Sequence, residues 1–341
     1  MLLPVFKPYI RRADMDSVLS CLISDEIGPG SVSDELTSEL CHYLNLDSGV
    51  LVRDYYRAIA LVLQLLELKS GSRIILSPLS PGVYVDVFRE KGIIPLFSDV
   101  DAHTALMNRK SIEKHIEQGA DALLLFCPLG SVEDMEYYQS LNIPLIEDIS
   151  ENFGASFKGG KCGSFSRITL FSMEPDKVLT CGGGAAIFSA DPHIAEQIVA
   201  LRKTYGNEIF LPDINAALAI IQLRNIEENI QKRKRIADIF LSSLNKTEHK
   251  SLMTVEGGEN VHFSFPLMLK NGMKEAKSYV MKKNIEPRRA FTRTALEISG
   301  IDSAICPVAS GLILRTLLLP LYPSLGKKNV EMISKVISTL P

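Results

Sequence analysis

An α/β fold with a mostly parallel sheet, helices on both faces and a smaller C-terminal α+β domain is predicted by three features of the chain. Short apolar runs recur between about residues 50 and 190, these runs show little internal alternation, and the pattern changes after about residue 246. The runs are Arg73-Ile74-Ile75-Leu76, Ile93-Ile94-Pro95-Leu96-Phe97, Ala122-Leu123-Leu124-Leu125-Phe126, Pro144-Leu145-Ile146 and Ile168-Thr169-Leu170-Phe171, with helix-like stretches between them. A strand that is apolar on both faces is one covered on both faces, which is the condition of a parallel sheet sandwiched by helices. Asp213 then reads as the cap of a long helical pattern through Ala216, Leu218, Ile221, Leu223, Ile226 and Ile230 into Lys232-Arg233-Lys234-Arg235, whose charges read as a solvated face. Beyond it come a polar turn at Gly257-Gly258, a strand-like run from His262 to Leu269, and two or three further elements up to Pro341. The expected domains are 1–245 and 246–341, with a substrate cleft between them.

Composition narrows the function classes. With 341 residues, 46% hydrophobic and 23% charged, and a formal net charge of −3, the chain is large enough for an extensive core and has no electrostatic case for nucleic acid or an anionic membrane. The six cysteines, Cys21, Cys41, Cys127, Cys162, Cys181 and Cys306, show no C-x-x-C spacing, and the six histidines do not cluster, so neither a disulfide framework nor a metal site is expected. The apolar start is broken early by Lys7 and Pro8, and no run of 18 uncharged apolar residues occurs, so a soluble, cytoplasmic protein is expected.

Two residues carry chemistry. Lys177 lies just past the apolar run ending at Phe171-Ser172 and just before Gly182-Gly183-Gly184, a position from which a lysine can hold an aldehyde cofactor as a Schiff base. Asp148 ends the run Ile143-Pro144-Leu145-Ile146-Glu147, where a strand delivers its carboxyl end to a cleft, and a carboxylate there can keep a pyridine nitrogen protonated. Either residue alone reads more simply, as a surface lysine or as a helix cap. In this order the pair points to pyridoxal 5'-phosphate, provided that burial or nearby positive charge lowers the lysine pKa.

Further segments carry a resemblance. Ile27-Gly28-Pro29-Gly30, Gly92 to Asp101, Glu147-Asp148 with Phe153-Gly154-Ala155, Phe171-Ser172 through Lys177 to Gly184, Leu201-Arg202, Ala216-Ala217 with Gln222-Leu223, and Leu319 to Leu325 follow one another in the order of a known pattern. Across nearly its whole length the chain resembles the DegT/StrS-type sugar aminotransferases, which have the aspartate-aminotransferase-like fold type I of pyridoxal phosphate enzymes. The resemblance implies that Lys177 is the Schiff-base lysine and proton carrier, that Asp148 binds the pyridine nitrogen, and that Ser172 donates its hydroxyl to the cofactor phosphate. It also implies a homodimer with the active site at the interface, and transfer of an amino group from glutamate to a nucleotide-linked keto-sugar. A dehydrating branch of the family has histidine at the lysine position, so Lys177 favours transamination.

The chain departs from the pattern around the cofactor. The family's S-G-T phosphate turn falls at Asp54-Tyr55-Tyr56, which leaves Tyr55 or Tyr56 to supply a hydroxyl. The stacking aromatic aligns with Pro81, with Tyr84 the nearest aromatic, and Glu151 replaces a glutamine or histidine near the ring. The loop after Arg202 is short, leaving Asn207 as the only candidate for a phosphate contact. The alternative reading is therefore a degenerate paralogue that keeps the fold as a binding, regulatory or partner subunit. Cys181 reads as a buried thiol and His262 as a core or interface histidine, while Arg288 and Arg289 are either a solvated pair or a site for a sugar-nucleotide phosphate or a carboxylate.

Overall fold

The structure, a computed structural model, describes residues 2–25, 27–270 and 272–341. Helices α1 (Arg12–Ile23) and α2 (Ser31–Leu44) lead into β1 (Ser48–Val52) and α3 (Tyr55–Leu65). Strands and helices then alternate as β2 (Arg73–Leu76), α4 (Val83–Lys91), β3 (Ile94–Phe97), α5 (Arg109–Glu117), β4 (Ala122–Phe126), α6 (Met135–Ser140) and β5 (Leu145–Asp148). A small hairpin, β6 (Ser156–Phe157) and β7 (Gly160–Lys161), precedes β8 (Ile168–Ser172) and β9 (Ala185–Ser189).

The central sheet has seven strands in the order β1-β9-β8-β5-β4-β2-β3. Strands β8, β5, β4, β2 and β3 run parallel, and β9 is antiparallel to both of its neighbours, β1 and β8. All five side chains of β4 and all five of β8 are buried, as expected of strands covered on both faces. Burying each large apolar side chain contributes about 1.5–3 kcal/mol, so these short runs fix the sheet. The expected mostly parallel sheet is found. At the β1 edge, Gly49 is required by close approach, because a Cβ there would lie 2.2 Å from the Phe188 ring.

The chain continues through α7 (Pro192–Thr204), α8 (Asp213–Arg224), α9 (Ile226–Leu244), β10 (Gly258–Glu259), β11 (Phe265–Met268), α10 (Met273–Lys282), β12 (Arg288–Arg289), α11 (Ala295–Ser299), α12 (Pro307–Arg315), β13 (Thr316–Leu319) and α13 (Lys327–Thr339). A second sheet, ordered β11-β13-β12, packs with α9, α10 and α13 around its own core. Pro266 sits on the edge strand β11, where a missing N–H is tolerated. Helix α9 serves both cores, giving Ile226 and Ile230 to the first and Ile236, Phe240 and Leu244 to the second. Strand β10 returns to pair with β6 of the larger part.

Two expectations about this region are corrected. The helical pattern after residue 213 is two helices, broken at Asn225, and the Asp213 carboxylate does not cap its own helix. It accepts from the N–H groups of Gly30 (2.9 Å), Val32 (3.0 Å) and Ser33 (2.8 Å), closing the N-terminus of α2 instead. The basic run is not wholly solvated either. Arg233 is only 5% exposed and donates to the carbonyls of His262 (3.3 Å), Phe263 (3.0 Å) and Leu321 (3.0 Å), tying α9 to the second sheet. Burial lowers its pKa to about 10, which still leaves it cationic.

Candidate functional site

The carboxyl ends of the parallel strands β4, β5 and β8 converge where a doubly wound sheet opens its cleft. They pair Phe126 with Asp148 and Asp148 with Leu170, two residues before Ser172 at the end of β8, and the chain leaving β8 makes a turn in which the Lys177 N–H bonds the Glu174 carbonyl (3.0 Å). This turn is closed at its base by bonds from the N–H groups of Cys181 and Gly183 to the Met173 carbonyl and from Met173 N–H to Gly184. Gly184, at φ 101°, takes a left-handed conformation that a side chain would strain, and a Cβ there would meet Leu211 at 2.5 Å. Gly182 and Gly183 have nothing within 4 Å of where a Cβ would lie, so only Gly184 of the three is placed by close packing. Cys181 is a buried thiol that donates to Gly183 and is pushed up to about 12 by burial, so it is no nucleophile.

Lys177 opens onto a cavity of about 500 Å³ that is also lined by Tyr55, Ser80, Pro81, Phe126, Ser150, Glu151, Ser172, Glu174, Asp176, Phe263, Arg288 and Arg293. The lysine is 13% exposed, with Asp176 at 3.5 Å, Glu151 at 3.8 Å and the Phe263 ring at 5.3 Å. Glu151 is in turn held by the N–H of Leu129 (2.7 Å). Burial lowers the Lys177 pKa, but the Glu151, Asp176 and Asp148 carboxylates outweigh it and leave the amine above its ordinary value. This corrects the expectation of a lowered lysine. The carboxylates hold it as an ammonium until something neutralises or displaces them.

Asp148 is 1% exposed and lies behind Tyr55. Its Oδ1 accepts from the Ser150 N–H (2.9 Å) and hydroxyl (2.5 Å), and its Oδ2 accepts from the hydroxyls of Tyr84 (2.8 Å) and Tyr55. Burial raises its pKa while these donors pull the other way, and the net direction is up. The Ser150 hydroxyl also accepts from the Ser172 N–H (2.9 Å), so the ends of β5 and β8 share one network.

The neighbouring Glu147 supplies a pH test. It is fully buried, accepts from the Gly163 N–H (2.7 Å), and is pushed up to about 7 chiefly by burial. An unfolded glutamate titrates near its ordinary value, so between about pH 4.5 and 7 the folded state holds a proton that the unfolded state has lost, and stability falls as pH rises. Glu147→Gln removes that loss. Urea unfolding at pH 5 and pH 8 is expected to show the variant gaining about 2 kcal/mol relative to wild type over this interval, and a pH-independent difference would refute the buried charge.

The remaining sequence candidates fall as follows. Ser172 is on the cavity wall with its oxygen accepting weakly from the Glu174 N–H (3.3 Å). Tyr56 turns outward to Glu90, and Asn207 is exposed on a short turn that packs back against β1 through bonds of Arg53 and Leu211 with Ile209 and Leu51; neither lines the cavity. Asp54 caps α3 by accepting from the Arg57 N–H (2.7 Å), so this helix N-terminus is already closed by a carboxylate. Tyr84 is 1% exposed and serves Asp148, not the cavity. His262 is partly buried away from the cavity, and its pKa is lowered to about 4 by burial, which keeps it neutral. The partnership of Tyr55 and Tyr84 with Asp148 carried no sequence signal, although Ser150, two residues after Asp148, has the spacing of a local hydroxyl–carboxylate bond.

Cavity size, a lysine amine and an adjacent serine hydroxyl fit the expected aldehyde cofactor. Asp148, the carboxylate expected for the ring, does not itself line the cavity and lies behind Tyr55. Among the described residues no cluster of histidine, cysteine and carboxylate side chains suits a metal, and no helix is long and apolar enough to cross a membrane.

Comparison with known proteins is consistent with this geometry. Residues 8–338 match the model of the DegT/DnrJ/EryC1/StrS aminotransferase family. The chain is 25% identical to the GDP-perosamine synthase of Escherichia coli O157:H7, over 98% of each protein. It is also 25% identical to the dTDP-4-dehydro-2,3,6-trideoxy-D-glucose 4-aminotransferase of Saccharopolyspora spinosa, covering 96% of this chain and 94% of that one. Among solved structures, S. venezuelae DesV in complex with a ketimine intermediate superposes with a TM-score of 0.88 at 21% identity, over 96% of this chain and 93% of that chain, a likeness that carries the fold.

Proposed function

The chain belongs to the DegT/DnrJ/EryC1/StrS aminotransferase family, enzymes whose cofactor is pyridoxal phosphate, and on that premise we propose that it moves an amino group from glutamate to a nucleotide-linked keto-sugar with Lys177 as the cofactor-holding base. The chain is thus an enzyme of the sugar-transaminating class, and the observation that carries the finer reading is Lys177 on the wall of the cavity beside Ser172. Pyridoxal phosphate, when bound, supplies the electron sink that makes a carbon-bound proton of the amino donor removable.

The chain's own residues divide the remaining work. Lys177 Nζ is the group that takes up a proton at the donor carbon and returns one at the acceptor carbon, a general acid/base role for a flexible amine. Asp176 and Glu151, at 3.5 and 3.8 Å, orient that amine and set its charge. Asp148 is the carboxylate reserved for a ring nitrogen, held in place by Ser150. Ser172 offers its hydroxyl to the phosphate, and Phe263 covers the lysine and limits water. At the rim, the exposed guanidinium groups of Arg288 and Arg293 match the pyrophosphate of a nucleotide sugar or the second carboxylate of glutamate. A homodimer belongs to the same proposal, because α1 leaves Met15, Leu19, Leu22 and Ile23 between 45% and 82% exposed on one apolar face.

Two observations favour the degenerate reading. Asp54 occupies the N-terminus of α3, where the family's phosphate turn falls, and Tyr55 covers Asp148. The two readings part in a simple assay. Cofactor-loaded protein is given glutamate and a panel of nucleotide-linked 4-keto-sugars, and 2-oxoglutarate is measured. Formation that depends on both substrates supports transamination, and none with any sugar at saturating cofactor leaves the partner-subunit reading.

A further inference from the structure

Every acceptor position on Asp148 is already filled by the protein. A carboxylate offers about four in-plane sites, and here they are taken by the Ser150 N–H, the Ser150 hydroxyl, the Tyr84 hydroxyl and the Tyr55 hydroxyl. These donors are not equivalent with respect to the cavity. Tyr84 and Asp148 do not line it, whereas Tyr55 does, so anything entering from the cavity meets the Tyr55 ring before it meets the carboxylate. The Tyr55 and Tyr84 rings pack edge to face, with centroids 5.8 Å apart at 83°, and their hydroxyls are 3.0 Å apart.

The backbone position of Tyr55 makes it the movable member. It is the first residue of α3, capped by Asp54, so rotation about its side-chain torsion breaks no bond of the helix. Tyr84 lies in the first turn of α4, is 1% exposed, and is packed against Phe88 as well as Tyr55.

We propose that Tyr55 is a latch over Asp148, occupying with its phenol the acceptor position that the ring nitrogen of the cofactor needs, so that tight cofactor binding requires the Tyr55 side chain to swing out. This rests on the reading that the cavity holds pyridoxal phosphate. The latch satisfies the buried carboxylate in the cofactor-free protein and lowers cofactor affinity by the cost of opening it. Tyr55 is a positioning residue that acts through Asp148.

The test is titration of purified protein with pyridoxal phosphate, followed by absorbance, for wild type, Tyr55→Ala, Tyr55→Phe and Tyr84→Phe, together with the melting temperature of each cofactor-free protein. Tyr55→Ala is expected to bind roughly tenfold or more tightly than wild type, since it frees both the ring space and the acceptor position. Tyr55→Phe, which keeps the ring and should fold even where alanine does not, is expected to gain less, and Tyr84→Phe to gain little. Both Tyr55 variants are expected to melt below wild type without cofactor, so tighter binding accompanies lower cofactor-free stability. A purely structural tyrosine would lower both. Equal or weaker binding in the two Tyr55 variants overturns the latch. If wild type still attaches cofactor at Lys177 in that case, the latch alone falls; if no protein attaches it, the cofactor reading falls with it.

Discussion

Lys177→Ala is expected to reduce glutamate-dependent amination by roughly three orders of magnitude or more, with the fold retained. The lysine is the only amine among the described residues lining the cavity, and its contacts there are ion pairs of 3.5 Å or longer and a ring at 5.3 Å. Its removal therefore deletes the reacting group without emptying a core position, and the uncovered Glu151 still holds the Leu129 N–H. Lys177→Arg separates charge from chemistry, because a guanidinium keeps the pairing with Asp176 and Glu151 but supplies no amine to take up and release the proton. Both variants are expected to be equally inactive in a single-turnover measurement of 2-oxoglutarate formation. Activity within tenfold of wild type in either would remove Lys177 from its proposed role.

Arg233→Ala is expected to cost about 3–5 kcal/mol of stability. The buried carbonyls of Phe263 and Leu321 and the part-buried carbonyl of His262 lose their donor at once, and the truncated stem leaves a void between α9 and the second sheet. Each unsatisfied carbonyl contributes about 1–3 kcal/mol, tempered by local relaxation and by release of a desolvated cation. Urea denaturation followed by circular dichroism reads this directly, and a loss under 1 kcal/mol would mean that water replaces the guanidinium. Because the Phe263 ring lies over Lys177, the same substitution is also expected to disturb the cavity wall.

How far the sequence reveals this molecule depends on the distance over which each signal acts. The apolar runs of β2, β4 and β8 identify themselves because their residues are buried on both faces, and the periodicity that separates them points to the parallel sheet. Strands β1 and β9 are harder to see, since Ser48-Gly49-Val50-Leu51-Val52 and Ala185-Ala186-Ile187-Phe188-Ser189 mix glycine, alanine and serine into the run. The break at Asn225 is hidden because apolar residues continue in helical register on either side of it. Arg233 is indistinguishable by type from Lys232 and Lys234, and only the packing of α9 shows which of them is inside.

The site is legible in the same uneven way. Asp148 and Ser172 lie at the ends of strands that the pattern predicts, and Lys177 lies in the turn that follows β8, so their neighbourhood follows once the sheet is drawn, although only Ser172 and Lys177 line the cavity. The Tyr55–Asp148 contact joins residues 93 apart and depends on a helix start meeting the end of a strand, which no local pattern encodes. The raised lysine pKa is likewise a sum over Glu151, Asp176 and Asp148, and charges on separate loops add up only in space. Asp54 closes the N-terminus of α3 by accepting from the Arg57 N–H, a role that depends on where the helix starts.

The most direct test of a working cofactor site at Lys177 is to incubate the protein with pyridoxal phosphate, record its absorbance, reduce with borohydride, and map the modified peptide by mass spectrometry. A cofactor band with the label fixed on Lys177 is the result predicted here. No band and no label at saturating cofactor, or label spread over surface lysines with Lys177 unmodified, would contradict it.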